Sequence, residues 1–181
     1  MEEKNNQNQC FMLIGIPGSG KSTLTQKLLA EQPLEIVSSD AFIDQKAQEE
    51  HISYEQSFEK YNQMAPKWMK QQLAKILQKK QSFIWDQTNV IQSARKKKLN
   101  VLKSHGYSTF AYYFDLSEEE IWKRIKKREL EGGKIISKRL FYTMKKDYTF
   151  PQYDEGFEKI YKINDIGEIL WIEPNTSLNI K

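Results

Sequence analysis

The chain has 181 residues, 28 Lys+Arg against 24 Asp+Glu for a net charge of +4, and 12% aromatic residues. That length suits one ordinary domain, and the aromatic content with nearly balanced charge excludes a disordered chain. One cysteine, Cys10, and two histidines, His51 and His105, leave no material for an internal disulfide or a Cys-based zinc site and argue against a metal cluster.

Residues 1–9 read as a polar tail with no signal-peptide core, and residues 10–181 as one domain. No apolar run reaches the roughly 18 residues that suggest a spanning helix, so the expectation is a cytoplasmic protein without a membrane segment. Phe11-Met12-Leu13-Ile14 is a short continuous apolar run, the form of a buried parallel strand. A Gly-rich turn follows, then a helix over 21–31 that stops before Pro33. Residues 34–37 read as a second strand, ending at Ser38-Ser39-Asp40. Residues 54–80 have a helical pattern interrupted by Pro66, which predicts two helices or a kinked one. Ser82-Phe83-Ile84-Trp85 is a strand closing on Asp86. A helix over 93–105 ends at Gly106, and 109–114 is an aromatic-rich strand. Ser117 with Glu120 predicts a capping box that opens a helix toward Leu130, broken by Gly132-Gly133. A helix over 137–148 and strands over 160–163 and 169–172 complete the chain. Strands alternating with helices imply an α/β fold with a parallel sheet, whose functional loops lie at the C-terminal ends of the strands.

Gly15-Ile16-Pro17-Gly18-Ser19-Gly20-Lys21-Ser22 matches G-x-x-x-x-G-K-[ST] at every fixed position, after a strand and before a helix. In such a loop backbone N–H groups converge on phosphate oxygens and the helix N-terminus adds its dipole. The residues expected to bind the nucleotide are Gly15, Pro17, Gly18, Ser19, Gly20, Lys21, Ser22 and Thr23. Lys21 would reach the β- and γ-phosphates, and the Ser22 hydroxyl would ligate Mg²⁺. The expected cofactors are ATP or another nucleoside triphosphate, with Mg²⁺. A ligand-free Gly-rich turn is the bland alternative.

Asp40 ends the second strand, a position where a carboxylate faces the γ-phosphate and can take the proton of an attacking hydroxyl. A helix cap or turn aspartate would look the same. Asp86 closes an apolar strand, the form of a residue that organises Mg²⁺ or its waters, and Gln87-Thr88-Asn89 follows with groups suited to phosphates or an acceptor. An Asx-capped turn is the competing explanation. From residue 123 to 146 ten basic residues face only Glu129 and Glu131. Within this segment Arg124 and Arg128, four apart, share a helix face and can clamp triphosphate oxygens. With Gly132-Gly133 between two helical stretches, residues 123–148 have the pattern of a mobile lid. Arg95-Lys96-Lys97-Lys98 is a second basic run, readable either as an attractor for a polyanion or as a solvated helix face.

Taken together, residues 15–22, Ser38-Ser39-Asp40, Asp86-Gln87-Thr88-Asn89-Val90, Arg124 with Arg128, Met144-Lys145-Lys146 and Glu155-Gly156-Phe157 resemble the polynucleotide 5′-hydroxyl kinases over about residues 10–172. The resemblance implies a P-loop kinase domain, without the phosphatase and ligase domains found in that family, that transfers the ATP γ-phosphate to a 5′-hydroxyl of DNA or RNA. It implies Asp40 as general base, Lys21 and Arg128 as catalytic cations, and Arg124 and Arg128 as the lid clamp. Asp40, Asp86, Thr88 and Asn89 would serve the acceptor, and Ser22 and Asp86 the metal. The implied role is nucleic-acid repair, with a nucleic-acid 5′ end as partner. One departure stands out. The family commonly has an arginine three residues after the base, and here that residue is Ile43. The alternatives are therefore a kinase for another hydroxyl (a modified base, nucleoside or small metabolite) or a nucleotide-dependent RNA-binding module without catalysis.

Overall fold

The computed structural model describes residues 8–131, 134–172 and 174. Six strands, β1 (Gln9–Ile14), β2 (Glu35–Val37), β3 (Phe83–Asp86), β4 (Ser108–Phe114), β5 (Lys159–Ile163) and β6 (Ile169–Ile172), form one sheet in the order β2-β3-β1-β4-β5-β6. All neighbouring pairs are parallel except β5 with β6. The helices are α1 (Lys21–Glu31), α2 (Ser39–Glu50), α3 (Tyr54–Tyr61), α4 (Ala65–Lys79), α5 (Gln92–Ser104), α6 (Glu118–Leu130) and α7 (Lys138–Asp147). The expected α/β class and mostly parallel sheet are present.

β1 explains why its sequence is apolar without alternation. It lies between β3 and β4, and helices cover both faces of the sheet there. Cys10, Met12 and Ile14 pack with Ile76, Leu99 and Leu102 on one side. Phe11 and Leu13 pack with Leu24, Leu28 and Phe110 on the other. Each such side chain contributes about 1.5–3 kcal/mol on burial, so the central strand anchors the loop that follows it. The chain order on the two sides of β1 diverges, with α1 leading toward β2 and α5 leading across to β4. This reversal opens a crevice at the C-terminal strand ends.

Two local expectations change, and a third, at Pro66, is met. β2 ends at Val37, and Asp40 sits in the first turn of α2 rather than at a strand end. That helix escapes the sequence pattern because only Phe42 and Ile43 on it are buried, too few to mark a period. The pattern over residues 54–80 takes the first of its two expected forms, two separate helices, and Pro66 bends neither. It lies in the first turn of α4, where its missing N–H costs nothing, and α3 ends before it. At Ser117 half of the capping box forms: Ser117 Oγ accepts from Glu120 N, while the Glu120 carboxylate turns to Arg124. Gly106 does close α5, with φ +75°. Gly132 and Gly133, the expected hinge, lie outside the described residues. Among the described residues, no helix is long and apolar enough to cross a membrane.

Candidate active site

The turn after β1 is built for close approach. Gly18 and Gly20 have φ of +87° and +100°, which side chains resist. At Gly18 an added Cβ would also lie 2.8 Å from Ile125 Cγ1, so α6 packs directly on the loop. α1 starts at Lys21, and its first-turn N–H groups open onto the crevice. Lys21 Nζ donates to the carbonyls of Gly15 and Ile16 at 2.8 and 3.2 Å. Burial pushes its pKa down to about 8, against the pull of Asp86 and Asp40. Such a lysine gains most from an incoming anion.

A cleft of about 910 Å³ spreads from this loop. Pro17, Gly18, Gly20, Lys21, Ser22 and Thr23 line one end. Gly15 lies beneath the loop, its N–H donating to Thr88 O at 3.0 Å. Asp86 and Thr88 line the floor, and Thr25 Oγ1 donates to Asp86 Oδ2 at 3.4 Å. Burial raises the Asp86 carboxyl from its ordinary value, with Lys21 opposing that shift.

Asn89 departs from its expected acceptor role. It is 5% exposed, with φ +49°, and turns away from the cleft. Its Nδ2 donates to the carbonyls of Leu13, Trp85 and Gln87. An amide whose hydrogens are spent on three carbonyls behind the loop has none for a ligand in front of it.

The opposite end of the cleft gathers residues far apart in sequence. Ser38 caps α2, its Oγ accepting from Ala41 N at 3.3 Å, and this sets Asp40 in the first turn. Tyr54 OH donates to Asp40 Oδ1 at 3.3 Å. Lys134 Nζ donates to Asp40 Oδ2 at 3.1 Å and to Tyr54 OH at 2.7 Å, and lies 4.7 Å from the centre of the Tyr54 ring. Burial and the neighbouring Asp40 carboxylate raise the Tyr54 phenol, so it stays a donor. Asp44 and Glu55 also line this end. Ile43 does not. It is 1% exposed, packs with Phe42 and Ala65, and its carbonyl accepts from Ser57 Oγ at 2.7 Å.

Arg124 and Arg128 reach the cleft from α6. Arg124 is held by Glu120 at 2.7 Å, by Ser19 O at 3.4 Å and by Asp165 O at 3.0 Å. Arg128 donates to Lys134 O at 3.3 Å. Its Nε, like Ser19 Oγ, is buried and has no partner among the described residues. Two orphaned polar atoms beside a basic, glycine-formed cradle are what a triphosphate would satisfy, so the residues fit that group. A second hollow of about 420 Å³ continues behind the loop, between Arg124 and the turn Asn164–Gly167.

The structure thus brings together Lys21, Ser22, Asp40, Asp86, Thr88, Arg124 and Arg128, and leaves Asn89 outside. Sequence reasoning missed Tyr54 and Lys134 as neighbours of Asp40. Tyr54 carries no local signal, and Lys134 was one of ten similar basic residues.

A family profile described as an AAA domain matches residues 11–151. The heterogeneous nuclear ribonucleoprotein U-like protein 2 of Homo sapiens is 25% identical over 158 residues, which cover 84% of this chain and 21% of that protein. The chain therefore spans about a fifth of that relative's length. A candidate kinase from Chloroflexus aurantiacus has a similar structure, with a TM-score of 0.67 at 20% identity over 87% of this chain and 85% of that one. A gluconokinase from Sinorhizobium meliloti 1021 gives a TM-score of 0.54 at 15% identity, over 88% and 84% of the two chains. At such identities these two structures speak for the fold alone. The profile match takes in the phosphate loop, Asp40, Asp86 and both arginines, and the chain belongs to the AAA domain family, a P-loop kinase-like family.

Proposed function

We propose that this protein is an ATP-dependent kinase that transfers the γ-phosphate to a hydroxyl, with a nucleic-acid 5′-hydroxyl as its leading acceptor. One observation carries the kinase reading: the phosphate loop with Lys21 at one end of a single cleft, and Asp40 on the N-terminus of α2 at the other. The acceptor oxygen attacks the γ-phosphorus as the bond to the β–γ bridging oxygen breaks, and the hydroxyl proton passes to Asp40. Lys21 and Arg128 neutralise charge on the transferring group, and Tyr54 and Lys134 fix the orientation of the Asp40 carboxylate. The reading seats the nucleoside end in the hollow beside Arg124. Ser22 and Asp86 would hold Mg²⁺, which when bound offsets charge on the β- and γ-phosphate oxygens. The nucleic-acid acceptor is supported by the resemblance in sequence and by a relative named as a ribonucleoprotein.

A second reading has its own support. Where the polynucleotide 5′-hydroxyl kinases commonly carry an acceptor-binding arginine, this chain has the buried Ile43, and Asp44 and Glu55 line the acceptor end. That lining suits a small uncharged hydroxyl compound better than a phosphodiester. Labelled ATP offered to a 5′-hydroxyl oligonucleotide and to a panel of nucleosides, sugars and other alcohols separates the two. Label on the oligonucleotide 5′ end is the expected result. Label only on a small alcohol selects the second reading, and label on neither removes the kinase assignment. ATP-dependent RNA binding without a labelled product would point to the non-catalytic module, against which the placement of Asp40 in the cleft argues.

A further inference from the structure

The basic run at the start of α5 is not one surface. Lys97 is exposed, and Lys96 pairs with Asp154 at 3.2 Å on the outside. Arg95 and Lys98 turn inward. Arg95 is fully buried, bonded twice to Glu155 at 2.8 Å, and donates to the carbonyls of Asn89 and Val90 at 3.0 Å. Lys98 Nζ donates to Asn89 Oδ1 at 2.6 Å and to Gln87 Oε1 at 2.8 Å, and lies 4.7 Å from the Trp85 ring centre. Among the described residues no carboxylate pairs with it.

An ammonium has hydrogens and no acceptor, so both amides must show it their oxygens. For Asn89 this settles the whole side chain. With Oδ1 on Lys98, Nδ2 points to Leu13 O at 2.7 Å and to the carbonyls of Trp85 and Gln87 at 3.3 Å. A flipped amide would set N–H against ammonium and oxygen against three carbonyls. The fixed sense ties residue 89 to β1, while the front of the same loop carries Asp86 and Thr88 into the cleft. Thr88 O in turn accepts from Gly15 N, the first residue of the phosphate loop.

We propose that Lys98 is a positioning residue that holds the loop from Asp86 to Asn89, and through Thr88 the start of the phosphate loop, in the geometry phosphoryl transfer requires. The catalytic part of this proposal rests on the kinase reading above. Burial without an acidic partner lowers the Lys98 pKa to about 8, with Cys10 the nearby group opposing that shift. A side chain kept only for packing would be better apolar at this place.

The test compares full-length wild type with Lys98→Met and Lys98→Gln, by hydrogen exchange without substrate and by kinetics with ATP and the best acceptor. In Lys98→Met, exchange speeds up about tenfold in peptides covering residues 86–91 and 13–16, and stays unchanged in β4 and β5. The kcat falls about tenfold while KM for ATP stays within about twofold, and Lys98→Gln, which keeps an uncharged N–H donor group, recovers part of both effects. Unchanged exchange in a folded variant overturns the proposal. So does exchange that rises evenly across the sheet, which a merely structural residue would give. If Lys98→Met does not fold, the same outcomes are read from Lys98→Gln. A wild type with no transferase activity removes the kinase reading, and the exchange result still decides the role of Lys98 in the loop.

Discussion

The two ends of the cleft are built by different means. The phosphate end is built on the backbone of one unbroken segment, 15–23, which runs from the end of β1 into α1, carries Lys21 and Ser22, and is braced by α6 at Gly18. The acceptor end is made of side chains from three segments, with Asp40, Tyr54 and Lys134 meeting across α2, α3 and the stretch before α7. Backbone recognition is tolerant of sequence outside its motif and tells little about the molecule recognised. Side-chain recognition is specific and can be rebuilt residue by residue, without a change in the backbone of the other end.

The largest effect should come from the phosphate end. Lys21→Ala is expected to lower the transfer rate by about 10⁴-fold, measured as initial velocity at saturating acceptor. Asp40→Ala at the other end should cost about 10³-fold while ATP affinity, read by titration calorimetry, stays within about twofold. Equal loss of ATP affinity in both variants would erase the distinction between the ends. Ile43→Arg should not create an acceptor site. It places a charge in the packed cluster with Phe42 and Ala65, and should cost about 3–5 kcal/mol of stability, seen as a melting temperature roughly 10 °C lower. Behind the phosphate end, Lys98 gives a pH signature. Its folded pKa is below its unfolded value, so the unfolded chain holds more protons between the two. Wild type should therefore gain stability over Lys98→Met as pH rises from about 7.5 to about 9, by on the order of 1 kcal/mol in denaturant titrations. The smallest effect belongs to Lys134→Met. Its pair with Asp40 is partly solvated, at 31% and 59% side-chain exposure, so stability should change by no more than about 0.5 kcal/mol.

What the sequence made legible follows the same division. β1 was visible because burial on both faces leaves a continuous apolar run. The phosphate loop was visible because its glycines and lysine are contiguous. Arg124 and Arg128 were visible through helical spacing. α2 was not, since a helix burying two residues writes no period. The inward placement of Asn89 and Lys98 was not legible for one reason: a polar residue in a loop or a basic run looks open to ligand or solvent until a partner from another element turns it inward. Tyr54 needed the crossing of α2 and α3, which no local pattern encodes.

The close approach of Ile125 to Gly18 bears on how this architecture can be altered. Arg124, one residue away, bonds to the carbonyl of Ser19, so loop and helix share an apolar contact and a polar one. They form a single structural module although 105 positions separate Ser19 from Arg124 in the chain. Transplanting the phosphate loop into another scaffold without α6 would leave its turn at Gly18 unsupported. A chimera that carries both should keep nucleotide binding whatever acceptor end it receives.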